Sequence, residues 1–154
     1  MSAQQKPLEL IHARNLLTCV STPAFLVDQS GDIVFFNEAA GTVLGRRFEE
    51  TGSIGHEQWR RLIGPFDESG DPIPFEQLAL NLALRRGHAG HLRHKIREAG
   101  GTVSEIEVSA VPLVATGGGF RGAIVFLWPA GEIDAGDAGI GSAAAASEGA
   151  GAAR

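Results

Sequence analysis

The residues best suited to chemistry are histidines in the second half of the chain. His88, His91 and His94 follow one another at intervals of three positions, and clustered imidazoles often bind metal. The alternation of apolar and polar residues around them predicts a β-strand. On a strand, His88 and His94 would share a face about 20 Å apart, and His91 would face the opposite way. That spacing cannot form a tetrahedral site, so we predict no metal site and place His88 and His91 on the surface.

His94 differs from the other two, because the same alternation places it on the inner face of the strand, between Leu92 and Ile96. A buried imidazole needs a hydrogen-bonding partner. A bound ligand or a neighbouring backbone carbonyl would satisfy it, and the sequence leaves both open.

Motifs of the common enzyme classes are missing from the sequence. It has no G-x-x-x-x-G-K-[ST] phosphate loop, no G-x-G-x-x-G that joins a strand to a helix, and no G-x-S-x-G nucleophile elbow. His56 and Glu57 begin like a zinc-protease motif, but the second histidine of that motif is absent. We therefore predict no catalytic residues and a protein that is not an enzyme.

Composition and charge restrict the class of partner. The chain has 154 residues, of which 44% are hydrophobic, as expected for one soluble domain with tails. The formal net charge of -5 argues against nucleic acid as a partner, and the single cysteine, Cys19, excludes an internal disulfide. The longest apolar run, Ala123 to Trp128, is too short to cross a bilayer. Without a secretory signal, we expect a cytoplasmic protein with no membrane partner.

The chain divides into regions by composition. We predict a flanking helix in residues 1–20, a folded domain in residues 21–129, and a disordered Gly- and Ala-rich tail in residues 130–154. The helix would run from about Pro7 to Cys19.

The elements of the folded domain follow from turn residues and periodicity. Two short apolar runs around a glycine turn predict a β-hairpin at positions 24–36, and Asn37 is a strong N-cap for a short helix. Apolar spacing predicts a longer helix from about Phe75 to Arg86, with Gly87 as its stop. The unbroken apolar run from Ala123 to Trp128 predicts a strand buried on both faces, and hence a central one.

A second hairpin can be aligned by its charges. Pairing Ile96 with Ile106 joins apolar residues on one face and sets basic residues opposite acidic ones on the other, with Lys95 opposite Glu107. The connecting loop would then be Gly100 to Thr102.

Several segments, taken in order, resemble the PAS family. They are Pro23 to Asp28 with Gly31, Ile33 with Asn37 to Ala40, Asp67 to Pro74, Val108 to Leu113, and Gly122 to Val125. The resemblance covers about Leu16 to Trp128. It implies an α+β fold with a five-stranded antiparallel sheet in the spatial order 2-1-5-4-3, helices on one face that enclose a cavity, and the N-terminal flanking helix outside.

The resemblance does not identify a cofactor. Flavin-binding members carry a reactive cysteine within N-C-R-F-L after the first hairpin, whereas Cys19 lies on the preceding helix. Haem-binding members place a histidine on the long helix before the third strand. That helix has no histidine here and His88 lies just beyond it, so haem held by His88 is only a minor alternative.

The implied function is a signalling domain with a ligand cavity and a dimer interface. We expect the following residues to line a cavity for a small apolar ligand, such as a lipid-like or aromatic metabolite: Phe35, Leu44, Trp59, Leu78, Leu82, His94, Val125 and Phe126. The flanking helix would cover the other sheet face, in the same chain or in a second copy, through Leu8, Ile11 and Leu16, with Ile124 and Trp128 completing a dimer interface. The partner would be a second copy or a signalling effector. The alternative is an interaction module that binds no ligand.

Overall fold

The computed structural model describes residues 8–130, which form an antiparallel sheet with helices on both faces. The strands are β1 (Ala24–Asp28), β2 (Ile33–Phe36), β3 (Gly90–Arg97), β4 (Val103–Val114) and β5 (Phe120–Pro129). The helices are α1 (Leu8–Leu17), α2 (Glu38–Leu44), α3 (Phe48–Thr51), α4 (His56–Ile63) and α5 (Ala79–Asn81). Among these described helices, none has the length and apolar character needed to cross a bilayer. The predicted tail lies outside the described residues except for Ala130.

The strand order is β2-β1-β5-β4-β3, which confirms the order implied by the family resemblance. Strand β5 is central and pairs with β1 on one side and β4 on the other. Ile124 and Val125 are adjacent on β5 and face opposite sides of the sheet, yet both are buried. The apolar run therefore identified the central strand correctly, because only a strand covered on both faces buries consecutive residues.

Strand β2 contains one extra residue that reverses the direction of its side chains. Val27 pairs with Ile33 while Leu26 pairs with Phe35, so Val34 has no counterpart on β1. A bulge of this kind breaks the strict alternation of faces. Ile33 consequently belongs to the core on the inner side of the sheet, and Phe35 to the core on the outer side.

The predicted register of β3 and β4 is wrong by two residues. His94 pairs with Ile106, and Arg93 rather than Lys95 lies opposite Glu107. The faces are nevertheless as predicted, because basic residues on β3 and acidic residues on β4 recur every second position. A slip of two positions therefore keeps each side chain on its predicted face and still sets Lys95 opposite an acidic residue, Glu105, although Ile96 now lies opposite Ser104. The turn decides the register, since it places Gly101 at a φ of +91°, a conformation that suits glycine.

The predicted long helix from about Phe75 to Arg86 is not regular. It consists of a 3₁₀ turn at Phe75–Gln77, the short helix α5, and a π-helical turn at Leu82–Arg86. Three consecutive residues, Leu78 to Leu80, are buried, and a regular helix cannot turn three successive side chains toward one core. Gly87 ends the segment in a left-handed conformation, as the sequence predicts.

Two apolar cores lie on opposite faces of the sheet. The larger one fills the space between the inner face and helices α2 to α5. The smaller one lies under α1, where Leu10, Ala13 and Leu17 pack on the outer face. The residues predicted to cover the sheet, Leu8, Ile11 and Leu16, instead point away from it and are 59%, 44% and 60% exposed. Both sets fit a helical repeat, so periodicity alone could not distinguish the buried set from the exposed one.

Polar contacts hold α1 in place on the outer face. The Arg14 guanidinium lies 4.8 Å from the ring centre of Phe35 and 5.3 Å from that of Phe48. Glu9 forms an ion pair with Arg121 of β5 at 4.0 Å. The helix is therefore connected both to the hairpin and to the central strand.

A single buried amide, Asn37, joins α1, β1 and α2. Its Oδ1 accepts hydrogen bonds from the backbone N–H groups of Ala24 (3.1 Å) and Ala40 (3.0 Å). Its Nδ2 donates to the carbonyl oxygens of Leu17, Val20 and Thr22 at 3.3, 3.0 and 2.9 Å. The predicted N-cap is thus confirmed, and the same side chain also holds the chain between α1 and β1.

We predict that Asn37→Ala lowers the free energy of unfolding by roughly 3 kcal/mol, because it removes an N-cap and leaves buried backbone groups without partners. Asn37→Asp has nearly the same shape but presents a carboxylate to three carbonyl oxygens, so at neutral pH it should destabilise at least as much. Urea unfolding measures both. Thr42→Ala, which removes an exposed hydrogen bond on α2, is the control and should change stability by less than about 0.5 kcal/mol. A stable Asn37→Asp variant would contradict the role of the amide donors.

Candidate functional site

An internal cavity of about 70 Å³ lies between the inner face of the sheet and the helices. Strands β1 to β5 form one wall, while α4 and the residues around α5 form the other. The lining is Phe25, Val27, Ile33, Trp59, Ile63, Pro65, Leu78, Ala79, Leu80, His94, Ile96, Ile106, Val108, Val125 and Leu127. This lining contains no charged residue.

His94 is the one polar side chain of the cavity wall that has no hydrogen-bonding partner. The residue is 7% exposed, and neither ring nitrogen has a partner among the described residues. The other polar group of the wall, the Trp59 indole N–H, donates to the carbonyl of Gly31 at 2.8 Å. The hydrogen bonds still to be made in the cavity wall are therefore those of the two ring nitrogens of His94.

Burial lowers the pKa of His94 below its ordinary value, because the apolar surroundings disfavour the charged imidazolium. Near neutral pH the side chain is then an uncharged imidazole, with one N–H donor and one nitrogen lone pair. It can exchange a hydrogen bond with a neutral group in either direction, while a charged ligand finds no counter-ion in the lining.

A second imidazole, His56, has its Nε2 buried without a partner among the described residues. It packs edge-on against Trp59 and Phe75, with ring centroids 5.6 and 4.8 Å away. His56 does not line the cavity, so it supports the Trp59 wall from outside.

The structure brings together half of the ligand residues predicted from the sequence. Trp59, Leu78, His94 and Val125 line the cavity. The other four do not, for reasons that differ from one residue to the next.

Phe126 is adjacent to Val125 on β5, so the two must face opposite sides, and Phe126 packs under α1. Phe35 faces the outer side because of the bulge in β2. Leu44 is buried in the inner core but away from the cavity. Leu82 begins the π-helical turn and is only partly buried.

Most residues that the sequence reasoning missed lie on the strands. Ile96 is two positions from His94, and Leu127 is two positions from Val125, so each shares the inner face with a residue that was predicted. Strict application of this alternation finds them. It does not find Phe25, because no residue of β1 was among those predicted; Phe25 pairs with Val125 across β1 and β5.

Of the predicted dimer residues, Ile124 is buried beneath α1 and is covered within its own chain. Leu8, Ile11 and Leu16 are exposed. Trp128 is partly buried on the outer face and lies opposite Glu107.

A hydrogen-bonded network covers the outer face of β3 and β4. The Ser109 hydroxyl lies 2.8 Å from Nδ1 of His91, whose Nε2 is 2.9 Å from a Glu107 oxygen. Arg93 donates to the other Glu107 oxygen at 2.8 Å, and this bond is the main cause of the lowered pKa of the carboxyl. The network is exposed on a flat sheet face, and we assign it to stabilising the cross-strand pairs.

A groove of about 810 Å³ lies between the end of α1 and helices α2 and α3. Charged residues of both signs line it, including Arg46, Arg47, Glu49 and Glu50. The amide of Asn37 reaches this groove with all of its hydrogen bonds made. The inner cavity is therefore the better candidate for specific binding.

The inner cavity does not fit flavin or haem. Both are at least drug-sized molecules, which occupy cavities of about 300–1,000 Å³, whereas this cavity measures about 70 Å³. Cys19 is exposed beyond the end of α1, and no cysteine lines the cavity.

Comparison with solved structures places this architecture among known folds. A PAS domain from Colwellia psychrerythraea is 18% identical, with a TM-score of 0.56 over 78% of this chain and 95% of that chain. An RNA-binding light-oxygen-voltage receptor is 18% identical, with a TM-score of 0.60 over 96% of this chain and 40% of that one. VqmA bound to DPO is 18% identical, with a TM-score of 0.55 over 76% of this chain and 56% of that chain. At these identities the likeness shows the fold alone.

No match was found among curated proteins. A family model for the PAS fold, however, matches residues 11–129, a range that includes all five strands and both walls of the cavity. The chain therefore belongs to the PAS family, whose members are sensory and signalling domains.

Proposed function

We propose that this protein is a sensor that binds a small, mainly apolar ligand in its inner cavity, with His94 as the polar contact. The observation that carries the proposal is the buried imidazole without a partner, in a cavity whose other lining residues are apolar or already hydrogen-bonded. The cytoplasmic location predicted from the sequence remains a prediction.

The energetics of His94 support a role in binding. A buried polar group without a partner costs about 1–3 kcal/mol relative to an apolar side chain of similar shape. A leucine at this position would continue the apolar face formed by Ile96 and Ile106. A residue that lowers stability in this way is expected where function requires it. A ligand that hydrogen-bonds to His94 would offset the cost.

Strand β5 offers a route from the cavity to the surface. Val125 and Leu127 line the cavity, and the alternate residues Ile124 and Phe126 pack under α1. A ligand that displaces the inner side chains would therefore move the strand on which α1 rests.

A second candidate function is dimerisation through the exposed side of α1. Leu8, Ile11 and Leu16 are exposed there, and Glu9 and Arg14 are both engaged with the protein's own surface. Over the described residues of α1, the outward side therefore presents no carboxylate, lysine or arginine that would repel a second copy. The two functions are compatible, because α1 covers the outer face of β5.

We predict that His94→Leu raises the free energy of unfolding at pH 7 by about 1–3 kcal/mol, because it removes the buried group without a partner. The wild type should also lose stability in acid. The pKa of His94 in the folded state lies below its unfolded value of about 6.5. As the pH falls from 6.5 through the folded-state pKa, the unfolded state therefore binds more protons than the folded state. The contribution of neutral His94 is complete above 6.5 and is lost below it.

Urea unfolding between pH 4.5 and 8 tests this prediction. His94→Leu should show a weaker decline in acid, while the control His88→Gln, at an exposed position, should follow the wild type. A His94→Leu variant that is less stable than the wild type at pH 7 would show that His94 has a structural partner.

Native mass spectrometry of freshly purified protein tests ligand binding itself. We expect the wild type to retain a small-molecule mass that disappears in a denatured spectrum, and His94→Leu to retain less of it. A bare mass for the wild type in every preparation would argue for the interaction module instead.

For the second candidate we predict that Ile11→Glu with Leu16→Glu converts a dimer into a monomer of 16.1 kDa, because two carboxylates would be buried in the contact. Sedimentation velocity measures the mass. Val103→Glu, at a position 54% exposed on β4, is the control and should remain dimeric. A wild-type protein that stays monomeric at high concentration would contradict the proposed dimerisation.

A further inference from the structure

We infer that the ligand is an uncharged, mainly apolar molecule no larger than one singly substituted aromatic ring, that it carries a hydroxyl, and that this hydroxyl bonds to the imidazole of His94. The inference rests on the proposed function and names the chemical class of its ligand. Size, charge and hydrogen-bonding capacity of the cavity each restrict that class.

The size of the cavity sets an upper limit. Its volume is about 70 Å³, and an apolar cavity of about 150 Å³ holds benzene. A ligand of a few heavy atoms fits directly, whereas one aromatic ring needs roughly twice that volume and so requires the wall to move. The helical wall is the part able to move, because Leu78 to Leu80 lie in an irregular helical segment, while the opposite wall is a five-stranded sheet.

The charge of the lining excludes ions. No lysine, arginine, aspartate or glutamate lines the cavity, so a charged ligand would lose its hydration without gaining a counter-ion. Arg60, on the neighbouring α4, is directed to the carbonyl of Ile73. A neutral molecule therefore loses the least hydration free energy on entering the cavity.

The hydrogen-bonding capacity of the lining is confined to one side chain. The Trp59 N–H is bonded to Gly31, which leaves His94 as the only side chain of the lining with capacity to spare. Its ring offers one donor and one acceptor, so further polar groups on a ligand would be left unpaired. A hydroxyl suits the site best, because it donates to the unprotonated ring nitrogen or accepts from the N–H in either tautomer.

Phenol and toluene form a matched pair of probes, since they differ only in a hydroxyl and a methyl group on the same ring. Amide chemical shifts of the ¹⁵N-labelled full chain, titrated with each probe, give both dissociation constants. We expect phenol to bind the wild type roughly tenfold more tightly than toluene, with shifts centred on β3 and β5. In His94→Leu the preference should disappear, and in His94→Gln, which keeps a donor and an acceptor, it should partly remain.

The outcomes separate this inference from the proposed function. Equal binding of phenol and toluene by the wild type, or a phenol preference that survives in His94→Leu, would overturn the hydroxyl contact while leaving a ligand-binding cavity. Binding of neither probe by the folded wild type, at concentrations up to the millimolar range, would overturn the one-ring ligand class inferred here, while the mass-spectrometric experiment decides the proposed function separately.

Discussion

The buried amide of Asn37 is the contact on which both faces of the sheet depend. Its oxygen fixes the start of β1 and the start of α2, and its nitrogen holds the end of α1 and the segment that follows. Asparagine is suited to this position because its side chain combines an acceptor and two donors in one rigid plane. Loss of this amide would release α1 from the outer face and α2 from the inner core together, which makes the sheet and both of its covers one cooperative unit.

Within this unit, β5 is the element shared by the two cores. Its inward side chains complete the cavity and its outward side chains support α1, so the state of the cavity and the position of α1 are mechanically linked. The wall formed by residues 75–86 is irregular, while the sheet wall is regular. Change within the cavity is therefore expected at the helical wall first. His94 lies on the regular wall, where its imidazole can orient a ligand through a hydrogen bond.

Much of the architecture could be predicted from the sequence because its signals are local. The unbroken apolar run identified the central strand, and Asn37 identified a helix start. The errors arise where two arrangements satisfy the same pattern. Charges that repeat every two residues permit a slipped β3–β4 register, and α1 has two apolar sides. The site was predicted in part, since a bulge at Val34 redirects Phe35. The inward position of His94 followed from alternation, but its lack of a partner depends on tertiary contacts that no local pattern contains.

The central claim is that a ligand hydroxyl forms a hydrogen bond with His94. A crystal structure of the protein as purified, at a resolution that distinguishes water from small organic molecules, tests it most directly. We expect density larger than one water in the cavity, with one atom about 2.7–3.2 Å from a ring nitrogen of His94. A cavity that contains only water beside His94, or an imidazole turned to a protein group outside the cavity, would contradict the account.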